Sequence, residues 1–144
     1  SFGNIFIKHV KTFNETVYNL RVFRSAFQGN SLAELVADNF CPIHSFVVDR
    51  SIVATSDLYF SEFLTRLEDY DFLLRICSSY PVSFEGRSKS VGVYNWHIDG
   101  SNSIQVFYSN DAAMERNRAQ WAEARRHIWR LKTRVRTKLG LFGK

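Results

Sequence analysis

Cysteine is scarce in this chain: Cys41 and Cys77 are the only two in 144 residues. They lie far apart in apolar surroundings, so they are expected to be buried free thiols, and two cysteines make no metal-site pattern. That usage favours a reducing compartment over a secreted, disulfide-stapled fold. No apolar run approaches the roughly 20 residues that a membrane-spanning helix needs. No secretory hydrophobic region follows Ser1, no Met opens the chain, and no glycine-rich phosphate loop occurs anywhere in it. Internal repeats and low-complexity linkers are also missing. The expectation is one piece cut from a longer cytoplasmic protein.

What is present is apolar and aromatic. Hydrophobic residues make up 45% and aromatic residues 15% of the chain, enough for a real core and too many for a disordered segment. Thirteen Phe, six Tyr and three Trp suit either a thick core or a surface that meets something else. Charge is unevenly placed. From Asp111 to Lys144 ten Lys/Arg stand against three Asp/Glu, a net of +7 within a total of +5. The remaining residues carry nine basic and eleven acidic groups, a net of −2. The basic character therefore belongs to the C-terminal segment.

Patterning predicts strands over Phe2–Lys11 and Glu15–Phe23, with Ile5, Ile7 and His9 on one face and a turn at Thr12-Phe13-Asn14. Ser31 with Glu34 fits a capping box opening a short helix from Leu32 to about Asn39. Pro42 ends that element. A short buried strand is expected at Ser45–Val48, a helical turn at Ser51–Thr55, and a loop over Asp57–Leu67 anchored by Phe60 and Phe63. A helix then runs from Glu68 to about Ser79, with Phe72, Leu73, Ile76 and Cys77 on one side, and stops before Pro81. Val82–Trp96 is expected to be extended, Asp99-Gly100 a turn, and Ser101–Tyr108 a short segment or loop. From Asp111 to about Leu139 Trp121, Ile128, Leu131, Val135 and Leu139 form a narrow helical stripe. The fold class is α+β, with residues 1–110 as the main body and 111–144 as a basic amphipathic helix.

Chemistry concentrates in three places. Glu68, Asp69 and Asp71 crowd the mouth of the second helix, where the dipole favours acids and where a carboxylate can be held in fixed geometry. Asn39-x-x-Pro42-x-His44-Ser45 precedes the expected short strand. Tyr94-x-x-His97, with Trp96 between, runs into a Ser/Asn-rich stretch.

In that order the three motifs resemble the C-terminal half of family 2 glycosyltransferases of the GT-A fold, over roughly Ser31 to Ile104. The resemblance implies that Asp69 is the general base on the acceptor hydroxyl, with Glu68 orienting the acceptor, and that transfer inverts the anomeric centre. It implies that His97 joins a divalent metal, Mn²⁺ or Mg²⁺, on the donor diphosphate. It assigns His44 and Ser45 to the acceptor pocket. By their own chemistry Trp96 and Tyr94 suit stacking on a sugar, and Asp71 suits a solvated first-turn acid. The family's Asp-x-Asp lies after a strand in the other half. Asp69-Tyr70-Asp71 has no such strand before it and is not that motif. The implied protein is the acceptor-side portion of an enzyme of cell-surface polysaccharide biosynthesis. It would take a nucleotide-sugar donor and a glycan or lipid-linked acceptor, and would be inactive without its nucleotide-binding half.

Each of these residues also has a plainer explanation. Dipole chemistry alone explains the acids, and His44, His97, Tyr94 and Trp96 suit packing. The C-terminal helix has three readings. Its stripe packs on the body while its arginines are solvated; it lies on an anionic membrane surface at the inner face of a membrane; or it binds nucleic acid, which stands last. Helix-mediated homodimerisation, and a non-catalytic membrane- or nucleic-acid-binding module, are the alternatives to an enzyme.

Overall fold

The computed structural model describes residues 1–25, 29–99 and 111–141. Two long strands, β1 (Asn4–Phe13) and β2 (Thr16–Ser25), form an antiparallel hairpin. Asn14 and Glu15 connect them with φ of 46° and 61°, the left-handed backbone of a two-residue hairpin turn. The turn lies later than Thr12-Phe13-Asn14 because asparagine tolerates that backbone and Thr12 and Phe13 stay in the ladder. β3 (Ser90–His97) pairs in parallel with the other side of β1, giving the order β2-β1-β3.

The register sorts side chains onto two faces. Ile5, Ile7 and His9 sit beside Gly92, Tyr94 and Trp96. Phe6, Lys8, Val93, Asn95 and His97 alternate onto the opposite face. β2 has no neighbour on its outer side among the described residues, and Val17, Tyr18, Leu20 and Val22 are exposed along it.

Two expected extended segments are shorter than the pattern suggested. Ile43–Ser45 is a 3₁₀ turn, held by Ser45 N–H and Oγ donating to the Pro42 carbonyl, and Phe46 makes a single bridge to Phe2. Ser45–Val48 is therefore not a strand. Glu85–Ser88 is another 3₁₀ turn, so only Ser90 onward is strand. Gly86 is needed there, because a Cβ would stand 2.4 Å from the Phe2 carbonyl oxygen. The helical turn expected at Ser51–Thr55 is present but starts earlier, with the Asp49 carbonyl accepting from Ile52 N–H at 3.2 Å and Val53 N–H at 3.1 Å, and a separate 3₁₀ turn follows at Thr55–Asp57. Gly100 and the segment Ser101–Tyr108 lie outside the described residues.

The helices match their sequence signals closely. α1 (Leu32–Ala37) is capped by Ser31, whose Oγ accepts from Glu34 N–H at 3.2 Å, while Glu34 Oε2 accepts from Asn30 N–H at 2.8 Å. It stops two residues short of Asn39. α2 (Glu68–Ser79) ends at Tyr80, extended before Pro81. α3 (Asp111–Leu139) ends at Gly140, whose φ of +65° suits glycine. Leu35 and Val36 of α1, Tyr70, Leu73, Leu74 and Cys77 of α2, and Ile128 and Val135 of α3 form one core. The Tyr70 hydroxyl donates to the Leu35 carbonyl at 2.6 Å, so this buried phenol is satisfied and ties α2 to α1. The molecule is α+β: a three-stranded mixed sheet joined to a helical layer. Among the described residues no helix is long and apolar enough to cross a membrane.

Candidate functional site

α2 begins in an unusual way. Its N-cap is Leu67, with φ of 60° and no side-chain cap bond. A leucine in the left-handed region costs about 1–2 kcal/mol. Such strain is found where geometry matters for function. Here it turns the chain so that Glu68 and Asp69 enter the wall of a cleft. With no side-chain cap from Leu67, the Tyr70 N–H is taken by Asp69 itself, at 2.7 Å to Oδ1.

Asp69 and Asp71 are two residues apart and in opposite electrostatic situations. Asp69 is half-buried, and its burial raises the carboxyl above its usual range, with the Glu68 charge adding to the rise; the Tyr70 N–H opposes it. Asp71 is fully buried. Its burial also pushes upward, but hydrogen bonds from Ser61, His127 and Arg75, with the Arg75 charge, outweigh it and hold the carboxyl below its usual range. Ser61 Oγ donates at 2.6 Å, Arg75 Nε at 2.9 Å, and His127 Nε2 lies 2.8 Å from Oδ1. Asp71 is therefore not the solvated first-turn acid expected. It is a structural hub joining α2, the loop before it and α3. Sequence could not show this, because His127 lies 56 residues away.

The cleft has a volume of about 600 Å³. Its floor is the sheet face carrying Ile5, Ile7, Tyr94 and Trp96. Its walls are Asn39 to His44, the segment Thr65 to Asp69, and Trp121 of α3. Four of the six expected site residues meet here: Glu68, Asp69, His44 and Trp96. The Tyr94 ring bridges two of them, 5.4 Å from His44 and 6.0 Å from Trp96 between centroids. Gly92 is what allows the His44 turn to sit on the sheet, since a Cβ there would stand 2.2 Å from the His44 carbonyl oxygen.

The other two stand apart. Ser45 is fully buried behind the wall, where its hydroxyl closes the turn on Pro42, so it shapes the presentation of His44 and does not line the cleft. His97 pairs with Val10 at the end of β3, on the sheet face opposite to Trp96. Among the described residues no three His, Cys, Asp or Glu side chains converge as a metal site. The described donors thus do not fit a complete divalent-metal site.

Two cleft residues gained no role from sequence. The Arg66 guanidinium lies over the Trp121 ring, 5.9 Å from its centroid, and Nη2 donates to Asn117 Oδ1 at 3.1 Å. Arg66 Nε and Asn39 Oδ1 are both buried and have no hydrogen-bond partner among the described residues. An unsatisfied buried polar atom costs about 1–3 kcal/mol. One spare donor and one spare acceptor on the walls of one cleft suit a polar ligand. The position of Arg66 beside the acid pair, and of Asn39 at the head of its motif, were the only signals. With an aromatic floor and a carboxylate of raised proton affinity, the cleft can bind a polyhydroxylated molecule and remove a proton from it.

No protein-family model matches the chain, and no curated protein or solved structure matches it.

Proposed function

We propose that the chain is the acceptor-side portion of an inverting glycosyltransferase of GT-A type, with Asp69 as the general base. The observation that carries this reading is the placement of Asp69: half-buried, with its proton affinity raised, on the wall of an aromatic-floored cleft that also holds Glu68, His44 and Trp96. An acceptor sugar stacks its apolar face on Trp96 and Tyr94. Its hydroxyls pair with Asn39 and Arg66. Asp69 accepts the proton of the attacking hydroxyl as that oxygen bonds to the anomeric carbon and the nucleoside diphosphate departs. Glu68, exposed beside it, orients the acceptor. The donor comes from a nucleotide-binding half outside this chain. His97 supplies at most one donor to a divalent ion, and the expectation of Mn²⁺ or Mg²⁺ rests on the motif resemblance alone.

The test is sugar transfer by the full-length protein with Mn²⁺ or Mg²⁺, comparing wild type with Asp69→Asn. Loss of the base lowers kcat on the order of 10²–10⁴-fold, with acceptor binding retained. Unchanged turnover removes Asp69 from this role. A binding module without catalysis is the second reading. The open apolar edge of β2 favours it, since that edge is a ready surface for another chain. It predicts association of the full-length protein with a partner chain through that edge, and no sugar transfer at all.

A further inference from the structure

The positive charge of α3 is sorted by the fold into two sets. On the packed side the cations are engaged. Lys132 Nζ donates to the Ala37 carbonyl at 2.9 Å, Lys138 Nζ to Ser79 Oγ at 3.2 Å, and His127 meets Asp71. Between them Ile128, Leu131, Val135 and Leu139 pack on α1 and α2. This is where the apolar stripe goes, so the stripe is not available to a partner.

The outward side differs. Arg125, Arg126, Arg130 and Arg134 are all exposed, and among the described residues none of them makes an ion pair. No Asp or Glu follows Glu123 in the helix. At 3.6 residues per turn these four side chains occupy about half of the circumference over roughly 15 Å of axis. Trp129 stands among them and is 69% exposed, the most exposed large apolar side chain of the described residues. A tryptophan set among these arginines gives this face an apolar centre within a cationic field. It suits the headgroup layer of a bilayer, where tryptophan is enriched and where arginine finds phosphate.

We infer that this outward face of α3, Arg125, Arg126, Trp129, Arg130 and Arg134, docks on an anionic lipid surface. The cations meet acidic headgroups and the Trp129 ring enters the interface, while the helix lies along the surface and does not cross it. The same helix supplies Trp121 to the cleft wall, so the docked face and the candidate acceptor cleft belong to one element. The inference does not rest on the transfer reaction.

The test is vesicle co-sedimentation of the full chain, without sugar nucleotide. Phosphatidylcholine vesicles are compared with vesicles in which part of the lipid is phosphatidylserine. Wild type binds only the acidic vesicles, and binding weakens as salt is raised. The triple variant Arg125→Gln, Arg126→Gln, Arg130→Gln loses about fivefold per arginine, on the order of a hundredfold together. Trp129→Ala weakens binding further and abolishes quenching of tryptophan emission by brominated lipid at that depth. All three side chains and Trp129 are exposed, so circular dichroism and the thermal midpoint serve as controls for folding. Equal partitioning of wild type and triple variant overturns the inference. So does tighter binding to a nucleic acid duplex than to acidic vesicles at the same salt.

Discussion

At the scale of single residues the most informative contrast is between Asp69 and Asp71. They share a helix turn and a residue type, yet one reaches a cleft and the other is enclosed by Ser61, Arg75 and His127. Replacing Asp71 with Ala removes the carboxylate that Ser61, Arg75 and His127 share, while Arg75 keeps the Asp57 and Tyr59 carbonyls, and should cost about 1–3 kcal/mol, measured as a shift in the urea midpoint at constant slope. Asp69→Asn should behave oppositely. A carboxyl whose folded pKa is raised contributes stability below its unfolded pKa and loses it as pH rises, so at neutral pH its ionised form burdens the fold. The asparagine variant is therefore expected to be at least as stable as wild type while losing transfer. Both thiols, Cys41 and Cys77, are pushed up to about 12, chiefly by burial. Sequence anticipated these free buried thiols. It also singled out Asp69 from Asp71, but it left Asp71 in solvent, because Ser61 and His127, which enclose it, are distant in the chain.

At the scale of elements, what local chemistry specifies came through and what tertiary contact specifies did not. The Ser31–Glu34 capping box and Pro81 bounded α1 and α2 well, since those signals act within a turn. The Ser45–Val48 segment looked like a strand from its β-branched residues, but it pairs only with the short stretch Ser1–Gly3, through Gly3 N–H to the Ser45 carbonyl and Val47 N–H to the Ser1 carbonyl, and Pro42 folds its start into a turn. The hairpin offers a direct check. Glu15 has φ of 61°, a conformation that glycine adopts without penalty. Glu15→Gly should raise stability by up to about 1 kcal/mol, read from thermal or urea unfolding. The neighbouring β2 edge makes a second prediction. With Val17, Tyr18, Leu20 and Val22 exposed on an unpaired strand, the isolated chain should self-associate. Leu20→Lys with Val22→Lys should shift it toward monomer in sedimentation velocity, whereas an unchanged profile would place any association elsewhere.

At the scale of the whole molecule, the sheet and the helical layer meet along one cleft, and the residues that sequence grouped by motif are grouped there by folding. Residues 39–44 arrive through a turn laid on Gly92, residues 65–69 through the left-handed Leu67, and Tyr94 and Trp96 through the alternation of β3. Three separated motifs converging on one concavity is the main support for reading them as one site. His97 and Ser45 fall outside it for equally local reasons, strand alternation and a buried turn. The opposite shifts of the two aspartates give this account its sharpest consequence. Asp71 stabilises the fold above its unfolded pKa, about 3.9, and that contribution is lost only as pH falls through its lower folded value. Asp69 takes up its proton at higher pH. The direct measurement is therefore kcat/KM for sugar transfer by the full-length protein against pH, with circular dichroism followed over the same range. An acid limb is expected above the ordinary aspartate range, while the fold is still intact, with no such limb in the residual activity of Asp69→Asn. A wild-type rate that stays level until the protein unfolds would contradict it.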